Sequence, residues 1–123
     1  MNGIAYALCG LVLCVPGLAV AVDDDTQRQA VVTALLVMDW GQTLDMTDQY
    51  GEYEGEHAEN NRLLGRYPSR GRINTYFVSV IVGHYLIGRM MSANYRKGWQ
   101  WGAIVLQGYT VSHNFRAGLH IDF

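Results

Sequence analysis

The chain has 123 residues, half of them apolar and only 16% charged, against about 25% charged in ordinary soluble domains. That balance excludes a disordered chain, and the length allows a single domain. A net charge of −2 with a pI near 6.0 excludes the basic stripe of a nucleic-acid binder, and two cysteines, Cys9 and Cys14, both inside the first apolar run, exclude a disulfide scaffold.

The first element is Ile4 to Val22, which carries no charge and is interrupted only by Tyr6 and Pro16. As a helix it reaches close to the ~30 Å of a bilayer core, so residues 1–22 read as an N-terminal membrane helix. The alternative is a signal peptide cleaved after Ala19-Val20-Ala21, although the basic start of such peptides is missing. Cys9 and Cys14 lack the small preceding residue of a lipid-attachment site and read as apolar packing. Residues 23–123 form the second unit, a helical membrane domain opening on the acidic block Asp23-Asp24-Asp25.

A second helix is expected from Ala30 to Met38, ending in Asp39-Trp40-Gly41-Gln42-Thr43, with Ala30, Ala34, Val37, Met38 and Gly41 at helical spacing. Residues 46–71 are polar and read as a loop, in which Glu52, Glu54, Glu56 and Glu59 precede Arg62, Arg66, Arg70 and Arg72. Surface ion pairs of this kind contribute about 0–1 kcal/mol each, so the loop reads first as a solvated one and second as a cover or a headgroup-binding patch. Ser69, after Pro68, is the expected N-cap of a third helix, Ile73 to Met91, whose Val78, Ile81, Val82 and Tyr85 fall on one stripe. A fourth runs from Gly98 to Val111. Trp99 and Trp101 beside Arg96 and Lys97 suit a membrane–water interface, and Gly98-x-x-x-Gly102 suits close approach of another helix. The last residues, Phe115, Ala117, Leu119, Ile121 and Phe123, alternate like the closing strand of an outer-membrane barrel. Eight strands of ~9–11 residues barely fit the chain, and the middle runs do not alternate. The fold expected is therefore all-α, an integral membrane bundle of three or four helices in the bacterial inner membrane, with the outer membrane as the lesser alternative. Basic residues fall on both sides of such a bundle and leave its orientation unassigned.

Polar side chains inside apolar helices are costly and need partners, by ~2.5–3.5 kcal/mol for Asp on insertion scales. Asp39, Gln42 and Thr43 share one helix face, His84 lies midway along the third helix, and Tyr109, Thr110 and His113 share a face of the fourth. If these faces converge, Asp39, Glu59, His84 and His113 supply the nitrogen and oxygen donors of a divalent metal site such as zinc, with one exchangeable position for hydrolysis. No recognised local ligand spacing accompanies them. The competing reading is a structural hydrogen-bond network, because buried polar groups must be satisfied whether or not they do chemistry.

Asp39-Trp40-Gly41-Gln42-Thr43, Glu59-Asn60-Asn61-Arg62-Leu63-Leu64-Gly65, Tyr76-Phe77, His84 and His113-Asn114 together resemble a family of small uncharacterised bacterial and phage membrane proteins with the pattern D-W-x-Q-T, E-x-N-P-x-L-G and a late H-N. The resemblance spans roughly residues 30–118, and this chain has Arg62 where the family has Pro. It implies an integral membrane location and a shared polar site, and no particular reaction. The expected function is a non-enzymatic accessory or phage-borne subunit of the envelope, with membrane lipid, other membrane helices or a second copy as partners. The alternatives are a metal-dependent membrane hydrolase and a holin-like pore-former.

Overall fold

The computed structural model describes residues 22–50, 62–65 and 68–123, and these form three helices: α1 (Asp24–Tyr50), α2 (Arg70–Met90) and α3 (Ala93–Arg116). The expected all-α class holds among them, and the described residues contain no strand. No helix among them is long and apolar enough to cross a membrane. The first apolar run up to residue 21, and residues 51–61 with Glu52, Glu54, Glu56, His57 and Glu59, lie outside the described residues.

Asp23 starts α1. Its carboxylate accepts from the Thr26 N–H at 2.9 Å and from the Thr26 hydroxyl at 3.0 Å. Asp24 and Asp25 then sit in the first turn, where the helix dipole favours negative charge. The acidic block thus begins the helix instead of preceding it. At the other end α1 runs through Asp39–Thr43 to Tyr50, past the break expected from its polar residues. Those residues do not end the helix because they face the neighbouring helix, where they find partners. Ser69 caps α2 as expected, its hydroxyl accepting from the Arg72 N–H at 3.3 Å.

A two-residue turn, Met91-Ser92, joins α2 to α3. Arg96 secures it, donating from Nε to the Gly88 carbonyl at 2.9 Å and from a terminal nitrogen to the Met91 carbonyl at 3.0 Å. These are the carbonyls a helix C-terminus leaves without intrahelical partners. The same guanidinium pairs with Asp25 on α1 at 2.9 Å. Beside it Arg28 donates to the Gln100 side chain, which in turn donates to the Asp25 carbonyl.

The start of α1 therefore lies beside the start of α3, and the two run parallel. Arg70, at the start of α2, pairs with Asp48 near the end of α1 at 2.7 Å, so α2 runs antiparallel to both. The buried core sits at that second end, where Leu44, Leu64, Ile73 and Phe77 pack together with Trp40 and Tyr76 against them. Trp40 stacks on Phe77 with centroids 6.1 Å apart and donates its indole N–H to Asn74 at 2.9 Å.

Helix α3 ends in a Schellman turn. Leu119 N–H donates to the Asn114 carbonyl at 3.0 Å, Gly118 N–H donates to Phe115, and Gly118 takes φ 87°. The alternating C-terminal residues are thus not a closing strand. Phe115 is helical, and the chain after Gly118 folds back over α1. There Asp122 N–H donates to the Gly41 carbonyl, His120 N–H donates to Asp45, and Phe123 meets the Trp40 ring edge-on. Gly41 makes this contact tight: a Cβ there would stand 2.6 Å from Ile121 Cγ2.

The faces of α1 and α2 differ from those read off the periodicity. Val32 and Leu36 are buried, while Ala30 and Ala34 are exposed. On α2 the buried residues are Ile73, Phe77 and Gly88, and the stripe Val78, Val82, Tyr85 faces outward. A helix apolar on most sides carries a period without saying which side is inside.

Candidate functional site

Two polar places stand out, and they lie at different levels of the bundle. The first joins α1 to the end of α3. Asn114 donates its amide to Asp39 Oδ1 and to Gln42 Oε1, both at 3.1 Å. Gln42, fully buried, donates onward to the Val111 carbonyl at 3.2 Å. Thr43, also buried, returns its hydroxyl to the Asp39 carbonyl at 2.8 Å. The shared face expected of Asp39, Gln42 and Thr43 exists, and its partner is Asn114. The segments Asp39–Thr43 and His113-Asn114, singled out in the sequence, meet here. Hydrogen bonds between the chain's own groups tie this cluster together.

The second place is a pocket of about 320 Å³ between the helices, open to the surface beside Gly98, Gly102 and Leu106. Leu36 from α1, Val80 from α2 and Leu106 from α3 give it apolar walls; His84, Trp99 and Gln107 also line it. The His84 ring stacks on Trp99 with centroids 4.9 Å apart, and the Trp99 indole donates to the His84 carbonyl at 3.2 Å. Both His84 ring nitrogens and the Gln107 carbonyl oxygen are closed off from solvent with no hydrogen-bond partner. Burial lowers the His84 pKa from its ordinary 6.5, which keeps the imidazole neutral at pH 7, with one ring nitrogen a donor and the other an acceptor. Gly98 and Gly102 do not bring another of the described helices close, since a Cβ at either meets nothing within 4 Å.

The proposed metal ligands are dispersed by this geometry. His84 lies at the level of Trp99, and His113 is fourteen residues further along α3, roughly 21 Å at ~1.5 Å per residue. His113 stacks on Tyr109 on the exposed side of α3, with centroids 6.1 Å apart. Asp39 belongs to the Asn114 cluster, and Glu59 lies outside the described residues. Convergence of Asp39, His84 and His113 fails because α2 carries His84 fifteen residues past its Ser69 cap, away from the loop end of the bundle. Among the described residues no group of three His, Cys, Asp or Glu side chains is placed to hold a metal ion.

Two participants were not found from sequence. For Asn114 the sequence signal is its place one residue past His113 in the His113-Asn114 pair. For Gln107 the sequence signal is a polar residue in the middle of the apolar fourth run. The chain matches no protein-family model, no curated protein and no solved structure.

Proposed function

We propose that this protein is a non-enzymatic, membrane-associated subunit of the bacterial envelope that works by packing its helices against lipid and partner helices. One observation carries the reading: α2 and α3 turn large apolar side chains outward. Val78, Val82, Tyr85, Leu86 and Met90 do so on α2, and Val105, Leu106 and Tyr109 on α3, with Val105 and Tyr109 each 70% exposed. Contiguous apolar surface of this kind marks protein or membrane contact. The Asp39–Gln42–Asn114 cluster supports a structural role, because its groups hydrogen-bond to one another. The uncharged run Ile4–Val22 is the stretch this reading assigns to the bilayer, with α1–α3 lying against the membrane.

Fractionation of the full chain tests the reading. The expected result is retention in the membrane pellet after carbonate wash and flotation with liposomes. The paired substitution Val82→Lys with Val105→Lys, both on exposed sites, should leave helical content unchanged and weaken flotation or detergent-resistant association. A wild-type chain that stays folded and monomeric in detergent-free buffer and does not float overturns the proposal.

A further inference from the structure

The charged residues are divided between the helices. Helix α1 holds Asp24, Asp25, Asp39, Asp45 and Asp48 against one base, Arg28. Helices α2 and α3 hold Arg70, Arg72, Arg89, Arg96, Lys97 and Arg116 and no acidic residue. The chain's net charge of −2 conceals this split. Three of the bases are engaged inside the molecule: Arg70 with Asp48, Arg96 with Asp25, and Arg72 with the Leu63 carbonyl. Arg89, Lys97 and Arg116 are exposed and form no ion pair among the described residues.

The outward apolar side chains of the same two helices form a band. On α2 it runs from Val78 to Met90, and on α3 from Tyr95 to Tyr109. Val78 stands twelve residues before the end of α2 and Val105 twelve residues after the start of α3, so the band covers one stretch of the antiparallel pair. That stretch is roughly 20 Å long at ~1.5 Å per residue. Beyond it the exposed side chains are polar, Arg72, Asn74 and Thr75 on α2 and Ser112, His113 and Arg116 on α3, with Phe115 the exception. Arg89 and Lys97 thus stand at the turn end of the band, and Arg116 past its other end.

Apolar side chains bounded by unpaired bases suit a helix lying in the plane of an anionic membrane surface. A neutral partner helix would cover the band and leave the three bases without counter-charge. A soluble acidic partner would serve the bases and leave the band in water. Tyr85, Tyr95 and Trp101, all exposed within the band, are the side chains favoured at headgroup level. The start of α1 lies beside the start of α3, so the uncharged run Ile4–Val22 joins the bundle at the end where Arg89 and Lys97 stand.

We propose that α2 and α3 together form an anionic-lipid-binding face. They lie along the bilayer surface with the apolar band at the boundary of headgroups and acyl chains, and Arg89, Lys97 and Arg116 meet lipid phosphates. Acidic α1 is the helix remote from the lipid. The inference rests on the membrane association proposed for the chain and adds the lipid class and the orientation.

Reconstitution of the full chain into phosphatidylcholine vesicles, with and without phosphatidylglycerol and with acyl chains brominated close to the headgroup, tests the proposal. The reporter is Trp101, 50% exposed within the band. Quenching present in the wild type and absent in Trp101→Phe belongs to this side chain and not to Trp40 or Trp99. It is expected in vesicles containing phosphatidylglycerol, is weaker in phosphatidylcholine alone, and is relieved by high salt. The combined substitutions Arg89→Gln, Lys97→Gln and Arg116→Gln relieve it likewise, weakening docking ~5-fold per charge removed, while the chain still floats with the vesicles. Flotation without quenching of Trp101, or quenching indifferent to phosphatidylglycerol or to the three substitutions, overturns this proposal and leaves membrane association standing. A chain that does not float overturns both.

Discussion

The two ends of this bundle are built on opposite terms. At the end where α1 stops and α2 starts, Trp40, Leu44, Ile73 and Phe77 pack closely, the tail folds over Gly41, and Asn114 serves two side-chain acceptors at once. Toward the other end, beside Trp99, the same three helices leave a cavity and three polar atoms without partners. A polar group in the first region is held by the chain's own partners, whereas the His84 ring nitrogens and Gln107 Oε1 in the second are buried without one. The difference teaches that burial of a histidine or glutamine is no sign of function until its partners are counted. Asp39, with the larger charge, is structurally absorbed, whereas the neutral Gln107 is not.

The comparison breaks most visibly at Phe77. Phe77→Ala empties a nearly inaccessible site in the packed end and is expected to cost about 3–5 kcal/mol. Equilibrium unfolding followed by circular dichroism checks it, in buffer or dodecylmaltoside, whichever keeps the wild type folded. Next comes Asn114→Leu, which removes both donated hydrogen bonds and leaves the Gln42 carbonyl oxygen buried without its donor. A loss of about 2–3 kcal/mol is expected by the same measurement. A change below about 0.5 kcal/mol would mean that this cluster is not what ties α1 to α3.

Two glycines sharpen the contrast with opposite signs. Gly41→Ala drives a methyl into Ile121 and Phe123, so the tail should lift, at about 1 kcal/mol net, with faster proteolysis after Gly118 and altered Trp40 fluorescence. Gly102→Ala meets open space and should stabilise α3 by about 0.5–1 kcal/mol. Equal responses at the two glycines would contradict the assignment of a tight and a loose end.

The smallest effect belongs to Asp23. Its carboxyl pKa is lowered from 3.8, first by the Thr26 N–H and then by the Thr26 hydroxyl. Because the folded value is depressed, this stabilisation is complete above the ordinary value and disappears as pH falls through the lowered one. Asp23→Asn should therefore melt slightly below wild type at neutral pH, and the two should converge in acid. Thermal melts across pH 2 to 6 read the convergence.

Much of the local structure was legible in the residues. The all-helical class, the Ser69 cap and the shared face of Asp39, Gln42 and Thr43 follow from local rules of spacing and capping, which operate within a turn or two of chain. Helix ends were less legible. The helix expected from Ala30 starts at Asp24, where Asp favours a helix start, and the polar run at Asp39 does not end it because its partner Asn114 lies more than seventy residues away. The Schellman turn at Gly118 has its signal in the glycine itself, which outweighs the alternation of Phe115 to Phe123.

The sequence by itself determined the helical class seen among the described residues, a low share of charge, and the need to find partners for the few polar groups inside the apolar runs. Only the tertiary structure decided which group meets which. Asp39 goes to Asn114, His113 turns to the surface, and His84 and Gln107 face a cavity, because helix direction, level and rotation are set by long-range packing that a period of 3.6 residues does not encode. Periodicity defines a stripe; the neighbouring helices decide whether that stripe faces inward or outward.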